Sequence, residues 1–190
     1  MGRDKATLPL AGMTLLERTL VEVPRAVPLV VVGPTIPVWR PADFCREDPV
    51  GGGPVAALAA GLERVRTPVV VVLATDLPFV GTLPALLAAA MCSENDEVDA
   101  VIPVDDEGEK QPLCAAYRVA ALNRAVEAGG SASGTSMRSM VERLTDTAWK
   151  PAAEVLAEVA LRDVDTPADL AVAREFLERG GSETTTPPGS

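Results

Sequence analysis

Two runs rich in valine limit what this chain can fold into. Residues 29–32 read Leu-Val-Val-Val and residues 69–74 read Val-Val-Val-Val-Leu-Ala, apolar at every position. A strand with one wet face alternates polar with apolar. Runs without alternation therefore predict strands covered on both faces, as in parallel sheets. Turn residues bound both runs: Gly33-Pro34 closes the first, and Pro68 and Asp76-Leu77-Pro78 flank the second. Residues 100–103 and 113–117 predict two more strands, separated by the acidic loop Asp105-Asp106-Glu107-Gly108-Glu109-Lys110.

Helical signals fill the intervals. Thr14-Leu15-Leu16-Glu17 has the form of a capping box, with Glu17 reaching back to the Thr14 N-cap. Residues 55–65, 82–91 and 119–128 carry Ala and Leu at helical spacing, and Thr166-Pro167 opens a last helix with a cap and a first-position proline. The alternation predicts a single α/β domain over residues 1–179 with a mainly parallel sheet. Residues 180–190 predict a disordered tail. One irregularity stands out. A doubly wound domain opens with a strand, yet the first regular element here is the helix at Thr14. Thr7-Leu8-Pro9-Leu10 is too short and too proline-broken to be a central strand.

With 190 residues, one compact core can bury roughly 70% of the unfolded surface. Aromatics are only 3%, so that core is built from Val, Leu and Ala, and no base-stacking surface is expected. The 17 Lys+Arg against 27 Asp+Glu leave a net charge of −10, which argues against nucleic acid as a partner. Any phosphate must be caught locally, by a few basic groups, backbone amides or a metal. The absence of histidine removes His-dependent triads, most zinc sites and imidazole acid–base chemistry. Cys45, Cys92 and Cys114 lie far apart, and are expected to be buried, reduced thiols of a cytosolic protein. No apolar stretch approaches the ~18 residues of a membrane span. The start is too polar for a signal peptide, and Ala6 stands where a myristoylation signal has Ser or Thr. The expectation is a cytoplasmic protein with no membrane partner.

Ligands of open α/β sheets sit beyond the carboxyl ends of the strands. There, Asp76 is placed either to hold a hard cation or to cap a turn. Asp163 and Asp165 share one face of a short predicted strand at spacing i, i+2. Magnesium takes one or two protein carboxylates, so Asp76 with either of them would suffice. The rival reading has Asp165 supporting the cap at Thr166. Gly51-Gly52-Gly53-Pro54 leads into a helix, as either an amide-lined ligand loop or a flexible turn. Lys5 is either a phosphate-neutralising cation or part of an inert charged terminus.

The order of these weak signals is more specific than any one of them. Met1-Gly2-Arg3-Asp4-Lys5-Ala6, then Gly51-Gly52-Gly53-Pro54-Val55-Ala56-Ala57-Leu58, then Ala74-Thr75-Asp76-Leu77-Pro78 follow one another along the chain. On these residues the sequence resembles the molybdenum cofactor guanylyltransferases and their MobA-like nucleotidyltransferase relatives. The family pattern runs M-G-x-D-K, D…G-P-L-A-G, C-D-x-P and a closing N-T-P-E-D-L. Asp165-Thr166-Pro167-Ala168-Asp169-Leu170 is similar to the closing motif. Gln111-Pro112-Leu113-Cys114-Ala115-Ala116-Tyr117 is similar to the family strand H-P-V-x-A-L-Y, with Gln for His.

The resemblance implies a Rossmann-like three-layer domain of the nucleotide-diphospho-sugar transferase type. It also implies transfer of a nucleoside monophosphate from an NTP to a phosphorylated acceptor. In the cofactor enzymes GTP and the phosphorylated pterin molybdopterin react, with Mg2+ as cofactor. By position, Lys5 matches the lysine on the NTP phosphates and Asp76 the magnesium-binding aspartate. Gly53 and Pro54 match the lining of the base pocket, and Asp48 the acidic residue before it. Asp163 or Asp165 matches a second group near the metal, and the choice between them stays open. Such chemistry asks for charge stabilisation and positioning rather than proton transfer, which suits a chain without histidine.

The chain departs from the family at its start. The family's first strand and its L-A-G-G-x-S-x-R loop, which precede M-G-x-D-K, have no match. A missing central strand leaves backbone groups unpaired in an apolar interior, each costing roughly 1–3 kcal/mol. Low stability and weak activity are expected of the chain as written, and a start codon placed too late is the first explanation. The alternatives are a cytidylyltransferase or other NTP transferase of a cofactor pathway, and a non-catalytic remnant.

Overall fold

The computed structural model describes residues 5–95, 97–105, 108–151, 164 and 166–178. A single 3-10 turn, Lys5–Thr7, leads into a small hairpin of β1 (Pro9–Leu10) and β2 (Met13–Thr14), and then into α1 (Leu15–Glu22). The expected capping box is present. The Thr14 hydroxyl accepts from the Glu17 N–H at 3.2 Å, and the Glu17 carboxylate accepts from the Thr14 N–H at 2.8 Å. Buried Arg18 ties the hairpin turn to α1, donating to the carbonyls of Leu10 and Ala11.

Strands β3 (Val30–Val32) and β4 (Asp43–Cys45) pair in parallel and precede α2 (Pro54–Leu62). There follow β5 (Val69–Leu73), α3 (Leu83–Ser93), β6 (Ala100–Val104), β7 (Cys114–Arg118), α4 (Val119–Glu127), α5 (Met137–Val141), β8 (Thr147–Pro151) and α6 (Pro167–Glu178). The last four strands form a sheet in the order β5-β7-β6-β8. Three of them point the same way, and β7 is reversed against both neighbours. The reason is connection length. A parallel neighbour needs a crossover of a dozen or more residues, and the chain between β6 and β7 is a hairpin-length loop.

The period of two along each strand sorts side chains to opposite faces. Val70, Val72, Ala100, Ile102, Ala115 and Tyr117 pack with Val55, Leu62, Leu122 and Met140 of the helices α2, α4 and α5. Val69, Val71, Leu73, Val101, Cys114 and Ala116 pack instead with Leu83, Leu87 and Met91 of α3. The sheet is therefore the middle of three layers, as the unalternating valine runs required. Against α1 and β1, α6 packs Leu170, Ala173 and Leu177 around Leu10 and Leu15. Phe176 also meets Phe79 edge to face at 5.0 Å between ring centroids. The α6 cap forms as expected at Thr166, but the carboxylate that closes it is Asp169, at 2.7 Å from the Thr166 N–H.

The sheet is interrupted. Among the described residues, β3 pairs with β4 alone and β5 with β7 alone, so each sheet ends on an all-apolar strand with one unpaired edge. Every residue of β5 is only half-buried despite its composition. Helix α2 bridges the break, with Gly61 against the Val32 side chain and Leu62 in the cluster that includes Val70 and Val72. The expected tail, 180–190, lies outside the described residues. Among them, no helix is long and apolar enough to cross a membrane.

Candidate active site at the carboxyl end of the fifth strand

Asp76 stands in the turn that follows β5, where a side chain leaves the sheet for the crevice beyond it. Its carboxylate lies 3.3 Å from the Lys5 ammonium, across 71 residues of sequence. Lys5 is fixed by its surroundings rather than trailing from a loose terminus. Its carbonyl accepts the Leu8 N–H at 2.9 Å, and the next residue, Ala6, packs against Leu16, Leu20 and Val31. Both partners keep access to solvent, with side chains 38% and 22% exposed, so each can exchange the other for a ligand.

A third segment reaches the same turn. The N–H of buried Val164 donates to the Asp76 carbonyl at 3.0 Å. Asp163 and Asp165 themselves lie outside the described residues. No group of three or more acidic or thiol ligands occurs among those described. A hard, solvent-accessible carboxylate in a strand-end turn nevertheless fits magnesium, which needs only one or two protein oxygens and fills its remaining positions with water and phosphate. Asp76 is the residue that would hold it.

The glycine loop follows β4. Gly53 is the N-cap of α2 with φ +92° and ψ −178°, a conformation essentially confined to glycine, and Pro54 takes the first helical position. No side chain caps this end, so its first-turn amides keep their donors directed outward. Asp48 is exposed and makes no side-chain hydrogen bond among the described residues. Its neighbour Glu47 does. The Glu47 carboxylate accepts the Gly51 N–H at 3.0 Å, and that bond holds its pKa below the ordinary glutamate value. Sequence reasoning singled out Asp48 and missed Glu47. The signal available was an acidic side chain four residues before a glycine, which is too common to be diagnostic.

A second loop, also missed, closes over the first. Between α4 and α5, the Gly134 N–H donates to the Gly52 carbonyl at 2.8 Å, which leaves Gly52 buried. Gln111, the residue in place of the family histidine, donates to Asp105 at 2.9 Å and so shapes the turn between β6 and β7.

The thiols divide differently from expectation. Cys114 is buried and its pKa is pushed up to about 12 by desolvation, so it is inert at neutral pH. Cys45 is half-buried, and Cys92 is exposed on α3, where the helix turns that position outward. A surface depression of about 460 Å³ lies at the start of β5, the opposite end from Asp76. Its two arginines are already tied to backbone carbonyls, Arg66 to Glu63 and Val65, and Arg118 to Val98 and Asn95.

Residues 1–148 match the MobA-like NTP transferase domain. The chain is 31% identical to the probable molybdenum cofactor guanylyltransferase of Chloroflexus aggregans, over 93% of this chain and 88% of that protein. Among the solved structures that share its fold are two at 23% identity. The molybdopterin-guanine dinucleotide biosynthesis protein A of Archaeoglobus fulgidus superposes with a TM-score of 0.68, over 94% of this chain and 92% of its own. The 2-C-methyl-D-erythritol 4-phosphate cytidylyltransferase of Thermus thermophilus superposes with a TM-score of 0.69, over 92% and 93%.

Proposed function

The chain belongs to the MobA-like NTP transferase domain family and is a nucleotidyltransferase, and we propose that it moves GMP from GTP to a phosphorylated pterin, molybdopterin, with release of pyrophosphate. The observation that carries this reading is the meeting of Lys5 with Asp76 at the end of β5. A cation and a metal-competent carboxylate, each half open to solvent, form the pair of charges a triphosphate needs. The guanylyltransferase name of the relative from Chloroflexus aggregans supports guanine as the base.

Each residue has a task in this scheme. Lys5 turns its ammonium from Asp76 to the phosphates, and Asp76 turns its carboxylate to magnesium. Asp163 or Asp165, which flank Val164, adds a second oxygen at the metal. Gly53 and Pro54 line the base pocket, with Asp48 and Glu47 on the strand side of the loop. Magnesium, when bound, offsets the charge that builds on the leaving pyrophosphate. An oxygen of the acceptor phosphate forms its bond to the α-phosphorus as the bond to the pyrophosphate oxygen breaks. No imidazole is required, because the nucleophile is already ionised. Rate enhancement comes from orientation and from Lys5 stabilising the departing charge.

The likeness to a cytidylyltransferase fold makes CTP the competing donor. Thermal unfolding with Mg·GTP and Mg·CTP separates them. A donor at about a hundred times its dissociation constant adds about 2.7 kcal/mol, a rise of roughly 5–10 °C for a chain of this size. The reading requires that rise with GTP and a clearly smaller one with CTP. Asp76→Ala should abolish the magnesium-dependent part; if it does not, the metal assignment is wrong. No rise with either nucleotide would favour a non-catalytic remnant.

A further inference from the structure

The loop between α4 and α5 carries hydroxyls at Ser131, Ser133, Thr135 and Ser136, and three of them have structural work. Ser131 donates to the Ser133 carbonyl at 3.3 Å, Thr135 to the Ser131 carbonyl at 2.7 Å, and Ser136 caps α5 by accepting the Ser139 N–H at 3.1 Å. Those bonds, with Gly134 docked on Gly52, hold the loop in one shape against the glycine loop. Ser133 is the exception. Its hydroxyl is exposed, has no partner among the described residues, and lies 3.4 Å from where a Cβ on Gly52 would sit. A hydroxyl that is rigidly presented and unengaged, at the edge of a loop with outward amides, is available to a ligand lying on that loop.

We propose that Ser133 is a specificity-determining residue that hydrogen-bonds the polar edge of the nucleotide base and favours a purine over a pyrimidine. The inference rests on the reading that Gly53 and Pro54 line the base pocket. The two bases extend different distances from the ribose. A purine laid along the glycine loop brings its hydrogen-bonding edge further across than a pyrimidine does, towards the wall that Ser133 forms. One hydroxyl can donate to a carbonyl oxygen or accept from a ring N–H, and guanine presents both on one edge.

Ser133→Ala tests this directly, because the side chain is exposed and supports nothing else in the fold. The readouts are the dissociation constants of Mg·GTP and Mg·CTP and the unfolding temperature of the nucleotide-free chain. Loss of one hydrogen bond of ordinary net strength should weaken Mg·GTP about 3- to 10-fold, with Mg·CTP and the unfolding temperature unchanged. Equal weakening of both nucleotides would overturn the claim of base discrimination. Unchanged binding of both by Ser133→Ala, when Gly52→Ala weakens Mg·GTP, would remove Ser133 from the site while leaving the base pocket in place. If Gly52→Ala is also without effect, or the parent binds neither nucleotide, the base-pocket reading fails and the inference falls with it.

Discussion

Replacing Gly52 by alanine probes the loop on which the functional reading depends. A Cβ built at Gly52 would stand 2.9 Å from the Ala56 Cβ and 2.9 Å from the Pro49 carbonyl oxygen. Neither neighbour can withdraw freely. Ala56 sits in the first turn of α2, and the Pro49 carbonyl already accepts the Gly52 N–H at 2.9 Å. Ordinary contacts begin near 3.4 Å, so the loop and the helix start must part by about 0.5 Å. Overpacking of this kind costs about 1–3 kcal/mol, a fall in unfolding temperature of roughly 2–12 °C for a chain this long. Gly51 provides the contrast. It has open space around its Cβ position but φ +79°, so Gly51→Ala carries a strain of about 1–2 kcal/mol that asparagine relieves. The assay is thermal unfolding of Gly52→Ala, Gly52→Asn, Gly51→Ala and Gly51→Asn, each with and without Mg·GTP. Asparagine should rescue position 51 and worsen position 52. Gly52→Ala unfolding within about 1 °C of the parent would show that the loop yields freely, and the steric argument would be wrong.

Three other outcomes follow from the same geometry. Asp99 is buried, accepting the Thr145 N–H at 2.8 Å and pairing with the exposed Arg124 at 3.1 Å. Asp99→Ala should cost about 1.5–3 kcal/mol in denaturant unfolding, whereas Asp99→Asn and Arg124→Ala should each cost under about 1 kcal/mol. An Arg124→Ala cost as large as that of Asp99→Ala would make the ion pair, rather than the amide bond, the stabilising contact. The Gly51 amide holds the folded-state pKa of Glu47 below its unfolded value of 4.5. Its contribution is therefore complete above 4.5 and is lost as the pH falls through the lowered folded value. Glu47→Gln should lack that part of the acid-induced loss in unfolding temperature, and an unaltered acid limb would sink the assignment. With a disulfide reagent under native conditions, Cys92 should react at once and Cys114 only on unfolding, as mass analysis of labelled peptides will show.

Much of the fold was legible locally because its signals act within a few residues. The valine runs of β3 and β5 announced strands covered on both faces, and the caps at Thr14 and Thr166 fixed where α1 and α6 begin. Strands without such runs, β4 and β8, gave no comparable signal. At the site, Asp76 and the glycine loop were legible as strand-end and helix-start chemistry. Glu47 and the loop of residues 129–136 were not, because Glu47 acts by accepting the Gly51 N–H and the loop by donating the Gly134 N–H to the Gly52 carbonyl.

What the chain determined by itself is the longer helices and apolar strands, their buried faces and their caps, since periodicity and capping depend on neighbours two to four residues away. Only the tertiary structure decided that β7 pairs with β5, that the sheet breaks between β3 and β5, and that Lys5 meets Asp76 while Gly134 covers Gly52. Those pairings join segments tens of residues apart. Their energy comes from which edges and faces can be buried together once loops are closed, and no local pattern carries that information.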